Sequence, residues 1–212
     1  PPLSLAYPRP EIAVLTLDRP DKLNALNLEL VETLHSTLEE IHRNNECRVV
    51  VLTGAGRGFC AGADLSEAGG GSTDPESMAA ARAGEMTTLL RAIVECPLPV
   101  IGVIDGHVRA GGMGLVGACD IVVAGPRSTF GLTEARIGVA PSIISLTLLP
   151  KLTARSAGRY YLTGETFGAA EAVEAGLVTI AVPESDGVAG VLAGLVESLG
   201  KGSPQGLAAS KR

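Results

Sequence analysis

Aromatic side chains make up only 3% of the 212 residues, so any core must be built from aliphatic groups. Positive charge is also scarce. Lys and Arg number 17 against 23 Asp and Glu, the net charge is -6, and no basic cluster stands out. Phosphate backbones require grouped Lys and Arg, so a nucleic-acid partner is not expected. No apolar run approaches the ~20 residues of a membrane helix, so no membrane partner is expected. The opening Pro1-Pro2-Leu3 lacks both the basic and the apolar region of a signal peptide. Cys47, Cys60, Cys96 and Cys119 contain no C-x-x-C pair, and His35, His42 and His107 form no cluster near them. A metal site is therefore not expected, and the cysteines read as reduced, packed thiols of a cytoplasmic protein. Neither H-E-x-x-H nor G-x-S-x-G occurs.

What is present is a chain that is 46% hydrophobic and 19% charged, the balance of one globular domain over residues 1–212. Apolar runs at 11–17, 48–52, 100–104, 121–124 and 177–182 predict strands. Helices are predicted over 28–43, 78–94, 143–149, 154–162, 169–175 and 188–199, the first capped by Asn27 and carrying Leu30, Leu34, Leu38 and Ile41 at helical spacing. Between them, residues 67–77 hold Gly69-Gly70-Gly71 and Asp74-Pro75 and read as a flexible loop. Strands alternating with helices predict an α/β fold with a largely parallel sheet.

The most informative stretch is VIGVIDGHVRAGGMGLVGACD, residues 100–120. It reads as strand, small-residue turn at Ala110-Gly111-Gly112, then helix. The first turn of a helix has N–H groups without an internal partner, and these suit a negative oxygen. A second small-residue turn, Cys60-Ala61-Gly62-Ala63-Asp64, follows the strand at 48–52. If neighbouring parallel strands present both turns, two N–H groups converge on one oxygen and form an oxyanion hole. The bland alternative is that these glycines only allow close strand–helix packing. Gly112-Met113-Gly114-Leu115-Val116-Gly117 also matches G-x-G-x-x-G. The acid that should close the next strand in a dinucleotide site is missing. Cys60 has no neighbouring base and reads as a packed thiol. His107 reads as a polar loop residue or as a group facing the cavity. Glu134 stands in an otherwise uncharged stretch, 128–135. It reads either as a glutamate in solvent or paired with Arg127 or Arg136, or as an acid/base with a raised pKa beside an apolar pocket.

These residues carry a resemblance. RPDKLNALN (19–27), LTGAGRGFCAGADL (52–65), AGGMGLVGACDIVVA (110–124), FGLTEARIGVAP (130–141) and YYLTGETFGAAEAVEAGLV (160–178) together are similar to the enoyl-CoA hydratase/isomerase (crotonase) family. The resemblance implies a spiral of β-β-α turns, with the C-terminal helical part incomplete here. It implies an acyl-CoA thioester as substrate, no separate cofactor, and assembly as a trimer or a pair of trimers. It places the oxyanion-hole amides at Ala63 and Gly111 and the acid/base at Glu134. It also places Ala61, Ala63, Asp64, Leu65 and Gly111, with Lys22, at the CoA site. The first of the two glutamates of family hydratases falls at Gly114, and many members have P-x-x-G-G where this chain has Pro141-Ser142-Ile143-Ile144-Ser145. The implied reaction is hydration of a 2-enoyl-CoA or 3-to-2 isomerisation, steps of fatty acid metabolism. Glu67, Glu85, Asp105 and His107 stand as candidates for a second proton-handling group. A catalytically silent acyl-CoA-binding protein and another enolate reaction such as decarboxylation remain as alternatives.

Overall fold

A computed structural model describes residues 1–69 and 74–212; Gly70 and Gly71 of the expected flexible loop lie outside the described residues. The chain opens with an antiparallel hairpin, β1 (Leu3–Arg9) and β2 (Ile12–Leu17). β2 is an apolar run in which Ala13, Leu15 and Leu17 are buried and the residues between them are half-buried. β1 holds Pro8, which a strand at a sheet edge tolerates, and its pattern did not announce it. α1 (Leu28–Arg43) has the predicted bounds. Asn27 caps it by accepting the Leu30 N–H at 3.0 Å, and the predicted leucines and Ile41 are buried.

The chain then makes the same move three times. A strand enters a six-stranded sheet, a three-residue strand enters a second sheet, and a helix follows. The units are β3 (Val49–Gly54), β4 (Gly58–Cys60) and α2 (Pro75–Glu95); β5 (Val100–Ile104), β6 (His107–Arg109) and α3 (Gly111–Ala118); and β7 (Ile121–Ala124), β8 (Thr129–Gly131) and α4 (Ser145–Leu148). α5 (Ala154–Thr163), β9 (Phe167–Gly168), α6 (Ala169–Ala175), β10 (Ile180–Ala181), α7 (Val188–Gly200) and α8 (Pro204–Lys211) complete it. The larger sheet runs β1-β2-β3-β5-β7-β10 and is parallel from β2 onward; the smaller runs β4-β6-β8-β9. This is the mixed α/β, largely parallel architecture expected, including the β-β-α repeat.

β3, β5 and β7 read as unbroken apolar runs because both faces are covered, which removes the polar alternation of a half-exposed strand. The core on one face gathers α1, α2 and α3 against Val50, Leu52 and Ile104. On the other, Val49, Ile101 and Val123 pack against Val191, Leu195 and Leu199 of α7. Three expectations change. The helix predicted over 143–149 shortens to α4, four residues long. The strand predicted over 177–182 pairs only at Ile180 and Ala181. α8 was not predicted; Ser203 caps it, and its Lys211 donates to the carbonyls of Ile93 and Leu98 and pairs with Asp120 at 2.8 Å.

Candidate active site

β4 and β6 are parallel neighbours, with Gly58 opposite His107 and Cys60 opposite Val108. The turns that leave them are therefore side by side. The strands that present these turns are the two short ones, not the long runs at 48–52 and 100–104. Gly62 has φ +94°, and a methyl built on it would lie 2.8 Å from Ala110 Cβ and 3.4 Å from Gly111 N. Only glycine suits that backbone and that approach. Ala110 has φ +47° and ψ -116°, a conformation an L-residue rarely adopts. Strain of this kind costs about 1–3 kcal/mol and collects at functional sites.

Ala63 forms a parallel bridge with Leu26. Leu26 N donates to Gly62 O at 2.7 Å and Asp64 N donates to Leu26 O at 2.9 Å. In a parallel pairing this leaves the N–H of Ala63 itself on the side away from Leu26. Gly111 is the first residue of α3, where a helix supplies no acceptor. Neither N–H has a backbone acceptor among the described residues. Both residues line one cavity of about 150 Å³, together with Leu26, Val31, Met86 and Ala110. Two amides on one mostly apolar cavity suit a carbonyl oxygen that gains negative charge.

The next strand over brings in Glu134. β8 pairs with β6 and sets Gly131 opposite Arg109, so the chain leaving β8 runs beside the Ala110-Gly111 turn. Glu134 opens a short 3₁₀ turn, Glu134–Ile137. Its Oε2 is buried and has no hydrogen-bond partner among the described residues. Burial pushes its carboxyl above the ordinary value. The ion pairs weighed for it are not made: Arg127 donates to Asp105, and Arg136 donates to Thr163 O. Glu134 is not among the described residues lining the 150 Å³ cavity.

Of the other carboxylates considered, Glu67 and Glu85 line that cavity. Glu67 accepts from Leu28 N at 3.3 Å and from Arg82 at 3.5 Å. Asp105 is held by Arg127 elsewhere, at 2.8 Å. His107 is exposed on β6, with Nδ1 2.8 Å from Thr129 Oγ1. Ala61 is half-buried, while Ala63, Leu65 and Lys22 are exposed. Asp64 differs from these. It is only 6% exposed and accepts from Arg19 at 2.8 Å and from Ser66 Oγ at 2.6 Å. The Ser66 and Arg19 donors hold its carboxyl well below the usual carboxylate range. Its side chain is used within the loop.

The glycines of the G-x-G-x-x-G match serve packing. A Cβ at Gly112 would meet Cys60 O at 2.5 Å, one at Gly114 would meet Ile144 Cγ2 at 2.7 Å, and one at Gly117 would meet Thr147 O at 2.8 Å. α3 is buried almost all round, which leaves no room for a dinucleotide. Cys60 is fully buried and its thiol is pushed up to about 12, in keeping with a packed thiol. Among the described residues no group of His, Cys, Asp and Glu could hold a metal ion, and no helix is long and apolar enough to cross a membrane.

Residue-level reading missed Asn24. It is completely buried at φ +56°, donates to Ala55 O at 2.9 Å and Gly58 O at 2.7 Å, and accepts from Arg19 N at 2.8 Å. It ties the segment before α1 to the loop between β3 and β4. Its only signal was its place in the RPDKLNALN motif.

Residues 9–212 match the family model described as enoyl-CoA hydratase/isomerase. The chain is 38% identical over 178 residues to a Rhodobacter capsulatus protein named "Probable enoyl-CoA hydratase", covering 82% of this chain and 66% of that one. It spans 63–66% of the length of three of the curated relatives it matches. A solved enoyl-CoA hydratase from Mycobacterium avium superposes with TM-score 0.89 at 56% identity, over 99% of this chain and 80% of that one. One from Bacillus anthracis gives 0.91 at 32% identity, over 100% and 81%. With its repeated β-β-α fold and a match running through nearly all of its length, this chain belongs to the enoyl-CoA hydratase/isomerase family.

Proposed function

We propose that this chain processes an enoyl-CoA thioester by stabilising its enolate. The N–H groups of Ala63 and Gly111 hold the thioester oxygen, and each such donor contributes a few kcal/mol to an oxyanion intermediate in known cases. Glu134 carries the proton. Ala61, Leu65 and Lys22, exposed or half-exposed around the first turn, line the CoA part of the substrate. Asp64 acts on that loop through Arg19 rather than on the substrate. Coenzyme A arrives as part of the substrate and no further cofactor is invoked. The observation that carries this reading is the pair of amides, without backbone acceptors among the described residues, set on one cavity by adjacent parallel strands.

Two reactions fit one carboxylate. In isomerisation, Glu134 takes a proton from C2 of a 3-enoyl-CoA, charge passes to the thioester oxygen, and the proton returns at C4. In hydration, a water adds across the C2–C3 double bond. Gly114 stands where the resemblance places the first hydratase glutamate, and Ile144 fills the space beside it. That same feature favours a second reading, an acyl-CoA-binding protein without turnover.

Assays with crotonyl-CoA and a 3-enoyl-CoA decide between them. Turnover of either, reduced about 10²–10⁴-fold in Glu134→Gln, supports the enzyme. Full turnover in Glu134→Gln refutes the role given to Glu134, and tight acyl-CoA binding without any turnover supports the silent reading. The trimer or pair of trimers proposed for the assembly is open to light scattering.

A further inference from the structure

The turn that begins at Glu134 has a polar neighbour, Tyr161, which lies in the motif at 160–178 but was given no role there. Ser145 opens α4, and its hydroxyl donates to Pro141 O. A serine has one hydroxyl proton, and that bond uses it. The 2.8 Å contact between Ser145 Oγ and Tyr161 Oη therefore has the phenol as its donor. Tyr161 Oη is left with acceptor capacity.

Tyr161 lies on α5, which packs against the 3₁₀ turn that begins at Glu134. Arg136 of that turn donates to Thr163 O at the end of α5 and fixes the two together. The phenol is half-buried. Burial raises its pKa, the Ser145 hydrogen bond offsets part of that rise, and the Glu134 charge adds a smaller upward push. Ile144, the residue before Ser145, is the one that fills the space beside Gly114. An aliphatic side chain thus occupies the place beside α3, while its neighbour in the chain anchors a phenol near the carboxylate that remains.

Resting on the function proposed above, we infer that Tyr161, held by Ser145, positions the attacking water for hydration of a 2-enoyl-CoA. A water that attacks gives one proton to a base, and an acceptor for its other hydrogen fixes its orientation. Glu134 Oε2, buried and without a partner among the described residues, takes one hydrogen, and Tyr161 Oη accepts the other. The water oxygen bonds to C3 as its first proton passes to Glu134. The π pair of C2=C3 moves toward C1, and the thioester oxygen takes the charge beside Ala63 and Gly111. Glu134 then returns the proton to C2. One water has been added across one double bond, with one carboxylate as both base and acid. Isomerisation moves a proton between carbons and uses no water, so Tyr161 has no part in it.

The experiment is a comparison of the two reactions in the purified chain, with crotonyl-CoA for hydration and a 3-enoyl-CoA for isomerisation. In Tyr161→Phe the ratio of hydration to isomerisation should fall about ten- to hundredfold, the loss of one hydrogen bond in the transition state, and the loss should appear in kcat rather than KM. Ser145→Ala keeps the phenol but removes its anchor, so it should move the same ratio in the same direction. An unchanged ratio in Tyr161→Phe and Ser145→Ala overturns the inference, as does a wild-type chain that isomerises without hydrating. Glu134→Gln separates this from the reading beneath it. If that variant keeps both activities, the role of Glu134 fails; if it loses both while the Tyr161→Phe ratio stays fixed, only the role of Tyr161 fails.

Discussion

Gly114 and Ile144 form a coupled pair, and replacing Gly114 by Ala tests it. The added methyl would stand 2.7 Å from Ile144 Cγ2, 3.1 Å from its Cβ and 3.4 Å from Leu90 Cδ1. Ile144 cannot easily swing aside. Its Cγ2 is fixed by a stiff χ1, and the residue is only 6% exposed. Overpacking of this kind costs about 1–3 kcal/mol. Alanine in place of a helical glycine returns up to about 1 kcal/mol. The clash should win, leaving a net loss of about 1–2 kcal/mol, which lowers the melting temperature by about 2–4 °C per kcal/mol in a domain this size. Ile144→Ala by itself should cost about 2–5 kcal/mol through the void it leaves. In the double variant the Gly114 methyl meets no Cγ2 and refills part of that void. The two losses should therefore fall short of additive by about 1 kcal/mol or more, outside the roughly 0.3–0.5 kcal/mol scatter of independent sites. Urea unfolding of the four proteins measures the cycle. Additive losses, or a Gly114→Ala variant more stable than wild type, would refute the packing argument. The same geometry predicts that Gly114→Glu alone does not install a working second carboxylate, because Ile144 stands in its way.

Asn24→Ala should destabilise the chain by about 2–4 kcal/mol, since two carbonyls and one amide lose their partner, and chemical denaturation reads this directly. Asp64 has a depressed pKa in the folded chain, so its contribution to stability is complete above the ordinary carboxylate pKa and is lost as pH falls through the folded value. Asp64→Asn should therefore show a flatter loss of stability on acidification, and parallel acid limbs in the two proteins would contradict this. Glu134 has the opposite shift. The folded state holds its proton more tightly, so ionising it opposes folding as pH rises. Glu134→Gln should then gain in relative stability between pH 4 and neutrality, approximate limits set by the ordinary glutamate value, even as activity falls. Cys60 and Cys119, both buried with thiols pushed up to about 12, should resist a thiol reagent in the native state and react on unfolding.

Local patterns were enough for much of this protein. The leucines of α1 and its Asn27 cap defined that helix end to end, and the apolar runs of β3, β5 and β7, alternating with helices, announced a largely parallel sheet. Small-residue turns before Ala63 and Gly111 were visible because glycine spacing is itself the signal. Other features depend on partners far away in the chain. β4, β6 and β8 have three residues each, too few for a period, and they exist because they pair with one another. Asp64 faces inward because Arg19, 45 residues earlier, claims its carboxylate. Gly114 is crowded only because α4 brings Ile144 against α3. Tyr161 comes near Glu134 only because α5 docks on the turn after β8. Periodicity and turn chemistry act over a few residues and can be read along the chain. Which side chain meets a carboxylate is set by packing between distant segments, and only the folded structure decides it.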